Sequence, residues 1–257
     1  MEVDIKHIIE AAQAGGAILK KYFGQSLDIV QKSIVSDLKS QADEESEATI
    51  IEVLKKHFPE ANIHAEETGK FENGSDYTFI VDPLDGTHNF VLGMPTFTVS
   101  IGLVHQDKII AGVIYVPAID QTFYAERDKG AFLEGKRINA STETDVRKAI
   151  LSTGFGYATT YDRANEITAR IWAKRPVRVL DDWCSTYKLC LIGLGKIEGL
   201  VIETGEIHDY VAGKLIAREA GCIISNHQGE PEQDELSTEF LVASTPEIVK
   251  ELIDVVA

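Results

Sequence analysis

Cysteine is scarce in this chain. Cys184, Cys190 and Cys222 are odd in number and form no CxxC pair. That argues against a disulfide frame or a zinc site and for reduced thiols in a cytoplasmic protein. Long apolar runs are missing too. No stretch approaches the roughly 20 apolar residues of a membrane span, and the opening MEVDIKHIIE mixes both charge signs without an apolar leader. Basic residues are in deficit: 25 Lys and Arg against 41 Asp and Glu leave a net charge of −16. Such acidity disfavours a nucleic-acid backbone or an anionic membrane as partner. No repeat, low-complexity tract or Pro/Gly/Ser linker interrupts the sequence.

What is present is ordinary for a globular protein: 257 residues, 44% hydrophobic and 26% charged. A chain of this size can bury a core unaided, as one large domain or two intimate ones. Apolar spacing predicts a helix from Ile5 to about Phe23 and a second from about Asp43 to Phe58, ended by Pro59. Tyr77–Val81, Thr96–Val104, Lys108–Val116 and Thr122–Ala125 read as strands. After Arg137 the pattern alternates. Strands are expected at Ala149–Ser152, Val177–Leu180, Gly199–Glu203, Cys222–Ser225 and Phe240–Ala243. Helices are expected near Asp162–Ala173, Ser185–Leu194, Asp209–Ala220 and from Pro246. Helices, then strands, then alternation imply layered sheets and helices in two halves joined near residues 137–148.

The chemistry concentrates in Phe79-Ile-Val-Asp82-Pro83-Leu84-Asp85-Gly86-Thr87. An apolar strand runs into two carboxylates, with Pro83 fixing φ and Gly86 free to turn. Carboxylates with a backbone carbonyl between them suit a hard cation such as magnesium. A helix beginning after Gly86 would offer free N–H groups to a phosphate. An EF-hand starting at Asp82 fails, because its third and twelfth places hold Leu84 and Gly93. Asp-x-x-Asp also departs from the Asp-x-Asp of haloacid-dehalogenase-type phosphatases. Glu66-Glu67, Asp181-Asp182 and Asp209 beside His208 are further acids, each of which could equally be a solvated turn or a helix cap. No Gly-x-Ser-x-Gly is present, Cys184 and Cys190 sit in a helix-like segment that marks neither as a nucleophile, and Gly154-Phe-Gly156 is too short for a dinucleotide fingerprint.

Three separated elements resemble the inositol monophosphatase family of magnesium-dependent, lithium-sensitive phosphatases. They are Asp82-Pro-Leu-Asp85-Gly-Thr87-His-Asn-Phe90 continuing through Pro95–Gly102, the upstream Glu66-Glu67, and His208-Asp209-Tyr-Val-Ala212-Gly213 leading to Glu219-Ala-Gly221. The resemblance covers most of the chain. It implies a layered α-β-α-β-α sandwich with two mixed sheets, an N-terminal α+β half at 1–140 and a C-terminal α/β half at 141–257. It also implies that Glu66, Asp82, the Leu84 carbonyl, Asp85 and Asp209 hold two or three magnesium ions. Thr87 with Glu66 would position the attacking water, and Asp43 would lie near the metals and this threonine. Gly86 and Thr87 would hold the phosphate through their backbone, while Asp85, Ser185, Glu203 and Asp209 would line the substrate. Lys32, and Asp43 six residues after Asp37, match a mobile-loop lysine and an acid beside the site.

Three departures from the family pattern stand out: Cys184-Ser185-Thr186 in place of Gly-Ser-Ala, His208 in place of Trp, and Lys39-Ser40 in place of Val-Thr. The implied activity is hydrolysis of a small polyol phosphate, led by inositol 1-phosphate, in a cytoplasmic homodimer. Histidinol phosphate, fructose 1,6-bisphosphate and 3′-phosphoadenosine 5′-phosphate are the alternative substrates. A catalytically weak binding or regulatory protein is the alternative of another class.

Overall fold

The apolar faces read from the sequence become the layers of the fold. The structure, a computed structural model, describes residues 3–25, 29–31 and 38–257. Helix α1 (Ile5–Tyr22) starts where the Asp4 carboxylate accepts the Lys6 N–H. Strands β1 (Ile29–Gln31) and β2 (Leu38–Ser40) pair antiparallel and feed α2 (Gln41–His57). A capping box between Ser40 and Asp43 sets the start of α2, so the helix opens two residues before the apolar periodicity suggests.

The next strands are β3 (Asn62–Ala65), β4 (Gly69–Phe71) and β5 (Tyr77–Asp85), followed by the short helix α3 (Thr87–Val91). Then come β6 (Thr98–His105), β7 (Lys108–Val116), β8 (Gln121–Glu126), β9 (Gly130–Leu133) and β10 (Lys136–Arg137). They form one sheet in the order β10-β9-β8-β7-β6-β5-β3-β4, antiparallel except for the parallel β3–β5 pair. β4, β9 and β10 were not expected from the sequence. They are two to four residues long, too short for alternation to register.

The remainder alternates: β11 (Ile150–Gly154), α4 (Tyr161–Ala173), β12 (Arg178–Leu180), α5 (Ser185–Gly193), β13 (Gly199–Ile202), α6 (Val211–Glu219), β14 (Ile223–Ser225), β15 (Phe240–Ala243) and α7 (Pro246–Val256). The second sheet runs β12-β11-β13-β15-β14, parallel through its first three strands and antiparallel thereafter.

Successive strand residues point to opposite faces, and the core divides accordingly. Phe79, Val81, Val99, Ile101 and Leu103 pack against Ile8, Leu19, Ile50 and Leu54 of α1 and α2. Ile80, Ile114, Phe123 and Ala125, on the other face, meet Cys190, Val211, Ala212 and Leu215 of α5 and α6. Those two helices also press Leu189, Ile192 and Ala217 onto Leu200, Ile202, Phe240 and Val242 of the second sheet. Its far face, with Leu151, Val201, Leu241 and Ala243, is covered by Ile167 and Ile171 of α4 and Ile248, Leu252 and Val255 of α7. The order is therefore α-β-α-β-α with two mixed sheets. Helix α6 lies so close to the first sheet that a Cβ at Gly112 would stand 2.7 Å from the Ala212 carbonyl oxygen and 2.9 Å from its Cα. Only glycine fits there.

Candidate active site

Asp82 and Asp85 stand three apart near the end of β5, where strict alternation would aim them at opposite faces. The register against β6 resolves this: Asp82 faces Ser100 and Asp85 faces Thr98, so three steps on β5 match two on β6. This bulge re-aims the second carboxylate. Pro83 sits inside it, and its carbonyl accepts the Ser46 hydroxyl of α2 at 3.1 Å. Gly86 follows at φ 88°, and a Cβ there would lie 2.9 Å from the Thr96 carbonyl oxygen. The chain turns at Gly86 and α3 begins at Thr87, so the helix anticipated after Gly86 is present.

Asp209 arrives from the other half. It ends a 3-10 turn, Ile207–Asp209, and its carboxylate accepts the Glu206 N–H at 3.2 Å. The sequence places it at the start of a helix as a possible cap. In the structure α6 begins only at Val211, with Tyr210 before it and no side-chain cap.

One oxygen from each of Asp82, Asp85 and Asp209 lies within 4.8 Å of the other two. Glu66 lies outside this trio, yet its N–H donates to the Val81 carbonyl at 3.1 Å, which prolongs the β3–β5 pairing and sets it beside Asp82. Burial, followed by the charges of Glu66, Asp85 and Asp209, pushes the Asp82 carboxyl well above its usual range. Burial, then Asp85 and Glu66, does the same to Asp209. Asp85 is raised by burial against opposing hydrogen bonds from Thr186 and Cys184. Buried carboxylates that repel one another form an oxygen donor set suited to a hard divalent cation.

The hydrogen bonds to Asp85 divide its oxygens. Oδ2 accepts the Thr186 N–H at 2.8 Å, the Thr186 hydroxyl at 2.5 Å and the Cys184 thiol at 3.2 Å. This seats the carboxylate at the N-terminal end of α5, where the helix dipole favours negative charge. Thr98 bonds to Thr186 behind it. Cys184 is held as a neutral thiol by burial and by the Asp85 charge, so the sequence departure at 184–186 supports a ligand-like side chain and supplies no nucleophile. The Thr87 hydroxyl donates to the Leu84 carbonyl at 3.1 Å.

Other expected residues occupy distinct surroundings. Asp43 is buried and accepts the Ser40 N–H and hydroxyl at 2.8 and 2.6 Å. Burial, offset in part by those bonds, pushes it up to about 7. Glu203 is paired with Arg163 of α4 at 2.7 Å. Ser185 is the first residue of α5, and the Tyr210 hydroxyl donates to the Thr204 carbonyl at 3.1 Å. Lys32 and Asp37 lie outside the described residues.

The sequence reading missed several supports. The buried Glu47 carboxylate accepts the Glu67 and Thr68 N–H groups at 2.7 and 2.9 Å, which clamps the Glu66-Glu67 turn. Buried Lys188 donates to the carbonyls of Thr153 and Asp182 at 2.8 and 2.6 Å. A signal existed for the first: Asp43, Ser46 and Glu47 fall at helical spacing on the same buried face as Ile50.

The raised acids predict how the metal-free protein responds to pH. Asp82, Asp85, Asp209 and Asp43 bind protons more tightly folded than unfolded. Their contribution is complete below about pH 4, the ordinary carboxylate value, and is lost as pH rises through the folded values, which for Asp43 is about 7. His64 and Lys214, both lowered by burial, work in the opposite sense but are fewer than the raised acids. In chelator the melting temperature should therefore be lower at pH 8 than at pH 5. A higher melting temperature at pH 8 would contradict the electrostatics described.

Comparison with known proteins places this architecture. The sequence matches the Inositol monophosphatase family over residues 1–257. It is 38% identical over 241 residues to inositol monophosphatase 2 of Solanum lycopersicum, covering 89% of each chain. It is 32% identical over 245 residues to a fructose-1,6-bisphosphatase/inositol-1-monophosphatase of Thermotoga maritima, covering 94% of this chain and 92% of that one. The crystal structure of the extragenic suppressor protein suhB from Bartonella henselae superposes with a TM-score of 0.91 at 30% identity, covering 98% and 97% of the two chains. The matched family is one of metal-dependent phosphoric monoester hydrolases. The chain belongs to the inositol monophosphatase family.

Proposed function

We propose that this protein is a magnesium-dependent phosphomonoesterase of small polyol phosphates, with inositol 1-phosphate as leading substrate. The observation that carries the reading is the convergence of Asp82, Asp85 and Asp209 from two halves of the chain. With Glu66 and the Leu84 carbonyl they form the set to which we assign two or three magnesium ions. Bound magnesium supplies an acidified water and charge neutralisation for the phosphate.

The chain's own groups do the rest. Thr186 and Cys184 occupy one oxygen of Asp85 and leave the other for the cation. Thr87 and Glu66 orient the attacking water, with Asp43 behind them. The backbone N–H groups of Gly86 and Thr87 receive the phosphate, and Ser185 and Glu203 face the polyol beside Asp85 and Asp209. The intact acids favour an enzyme over a catalytically weak binding protein. We place the protein in the cytoplasm as a homodimer, with functional halves 1–140 and 141–257, and without nucleic-acid or membrane partners. No helix among the described residues is long and apolar enough to cross a membrane.

The test is phosphate release with magnesium across inositol 1-phosphate, fructose 1,6-bisphosphate, histidinol phosphate and 3′-phosphoadenosine 5′-phosphate. The name of the Thermotoga relative couples the first two activities in one protein, so both are expected to be hydrolysed, the first faster. Glu203→Gln refines the result. If Glu203 meets substrate hydroxyls, the variant loses about tenfold or more on the polyol phosphate, the scale of one lost charged hydrogen bond. An aryl phosphate would be nearly unaffected. Equal losses on both would mean that Glu203 serves only to hold Arg163 and α4.

A further inference from the structure

Glu203 follows the last residue of β13, and its backbone is fixed. Its N–H donates to the Gly154 carbonyl at 3.0 Å, which carries the β11–β13 pairing one residue further. Beyond the backbone a glutamate has three side-chain torsions, and alone it would sample several rotamers. Here the head is gripped as well. Arg163 Nε donates to Oε1 at 2.7 Å and Nη2 donates to Oε2 at 3.4 Å, the planar fork that matches a carboxylate. The guanidinium is held in turn. Thr160 caps the start of α4 by accepting the Arg163 backbone N–H at 3.2 Å. Nη2 also donates to the carbonyl of Val256, the last residue of α7, at 2.7 Å, and Nη1 donates to Glu166 at 3.1 Å. His227 approaches Glu203 too, with Nδ1 at 3.9 Å from Oε2. Its Nε2 lies 2.9 Å from the Ile202 carbonyl, which can only accept. In the neutral ring the proton is therefore on Nε2, and Nδ1 has none to give Glu203. Orienting the carboxylate falls to Arg163.

We propose that Arg163 is a positioning residue for substrate discrimination: its fork holds Glu203 in the direction from which the carboxylate accepts substrate hydroxyls. This role rests on Glu203 meeting the polyol, as proposed above. An ionised carboxylate has roughly four lone-pair sites. Arg163 engages one on each oxygen and leaves the others for hydroxyls. The pair is mostly buried, with side-chain exposures of 15% for Glu203 and 27% for Arg163, so solvent and salt screen it less than an exposed pair. A carboxylate ordered in advance removes an entropic cost that binding would otherwise carry. An aryl phosphate offers no hydroxyl and is indifferent to that order. Through Val256 the same guanidinium fastens the polyol wall to the outer layer formed by α4 and α7.

The experiment measures kcat and KM in magnesium for p-nitrophenyl phosphate and for the best polyol phosphate of the panel, expected to be inositol 1-phosphate. The proteins are wild type, Arg163→Met, Arg163→Lys, Glu203→Gln and the double variant Arg163→Met/Glu203→Gln. Methionine keeps an apolar stem and deletes the fork. Arg163→Met should raise KM for the polyol phosphate about three- to tenfold with kcat nearly unchanged, the scale of immobilising one rotamer-rich side chain. Its constants for p-nitrophenyl phosphate should stay near wild type. Arg163→Lys, a point charge without the fork, should show a smaller loss in the same direction. The double variant should lose no more than Glu203→Gln alone, because Arg163 acts through Glu203. Lys174→Met controls for helix docking: it frees α4 from Glu251 and Asp254 of α7 and should lower the melting temperature without changing the ratio between substrates. If Arg163→Met fails to fold, Arg163→Lys decides the matter. A folded Arg163 variant with the wild-type ratio, beside a Glu203→Gln that loses it, overturns the positioning role and leaves the polyol contact standing. Equal losses on both substrates in Glu203→Gln overturn the contact itself, and the positioning role with it. Losses that multiply in the double variant, or a Lys174→Met that shifts the ratio as far as Arg163→Met, also overturn the role, because Arg163 would then act through the docking of α4.

Discussion

Asp85→Asn is expected to lower kcat/KM by at least about a thousandfold while the protein remains folded. Removing one preorganised electrostatic group from a transition-state site costs about a hundred- to a thousandfold, and loss of a charged metal ligand belongs at the upper end. The fold is spared for a local reason. Asparagine keeps an oxygen that can accept the Thr186 N–H and hydroxyl, the contacts that seat residue 85 against α5. The same substitution removes one of three mutually repelling carboxylates. The metal-free variant should therefore melt at or above the wild-type temperature. Steady-state assays with inositol 1-phosphate, paired with thermal melts in chelator, check both halves. Near-wild-type turnover would show that Asp85 is no metal ligand, and a collapsed melting temperature would show that it is chiefly structural.

Stripping metal from the wild type should abolish turnover, and added magnesium should restore it. At separations within 4.8 Å and an effective dielectric of about 20, each pair of unit charges in the trio repels by roughly 3.5 kcal/mol or more. A phosphate approaching the uncompensated pocket meets the same sign of field. Activity in EDTA should fall at least about a thousandfold, since water activation and charge neutralisation are lost together. Readdition of magnesium should also raise the melting temperature, most at pH 8, where the carboxylates are most fully ionised. Full turnover in metal-free buffer would exclude the proposed mechanism.

The two acids of the Asp82–Asp85 segment were legible because they are contiguous in sequence. Their convergence was not, because it depends on a register slip against β6 that no local pattern announces. Layered sheets and helices in two halves were legible from the switch between strand-like and helix-like spacing, and the five-layer order came only with the family resemblance, while β9 and β10 were lost to their brevity. Thr186 was visible only as a departure from the family pattern. Its meaning, a hydroxyl on Asp85, needed the packing of α5 against the end of β5. The acids on α2 divide in the same way: Asp43 could be assigned by resemblance, whereas Glu47 became intelligible once the Glu67 and Thr68 amides were found on it.

The helical layer formed by α5 and α6 is packed on both faces, and Asp209 reaches the pocket at its edge. This has a consequence during synthesis. The ribosome delivers Asp82 and Asp85 first and, at about 5–20 residues per second, Asp209 several seconds later. Until then the emerging first sheet lacks α6 along Gly102 and Gly112, and the carboxylate trio to which we assign the ions is incomplete. The nascent chain thus cannot assemble the proposed metal site before α6 has been made, and metal capture would mark the docking of the α5–α6 layer onto the first sheet.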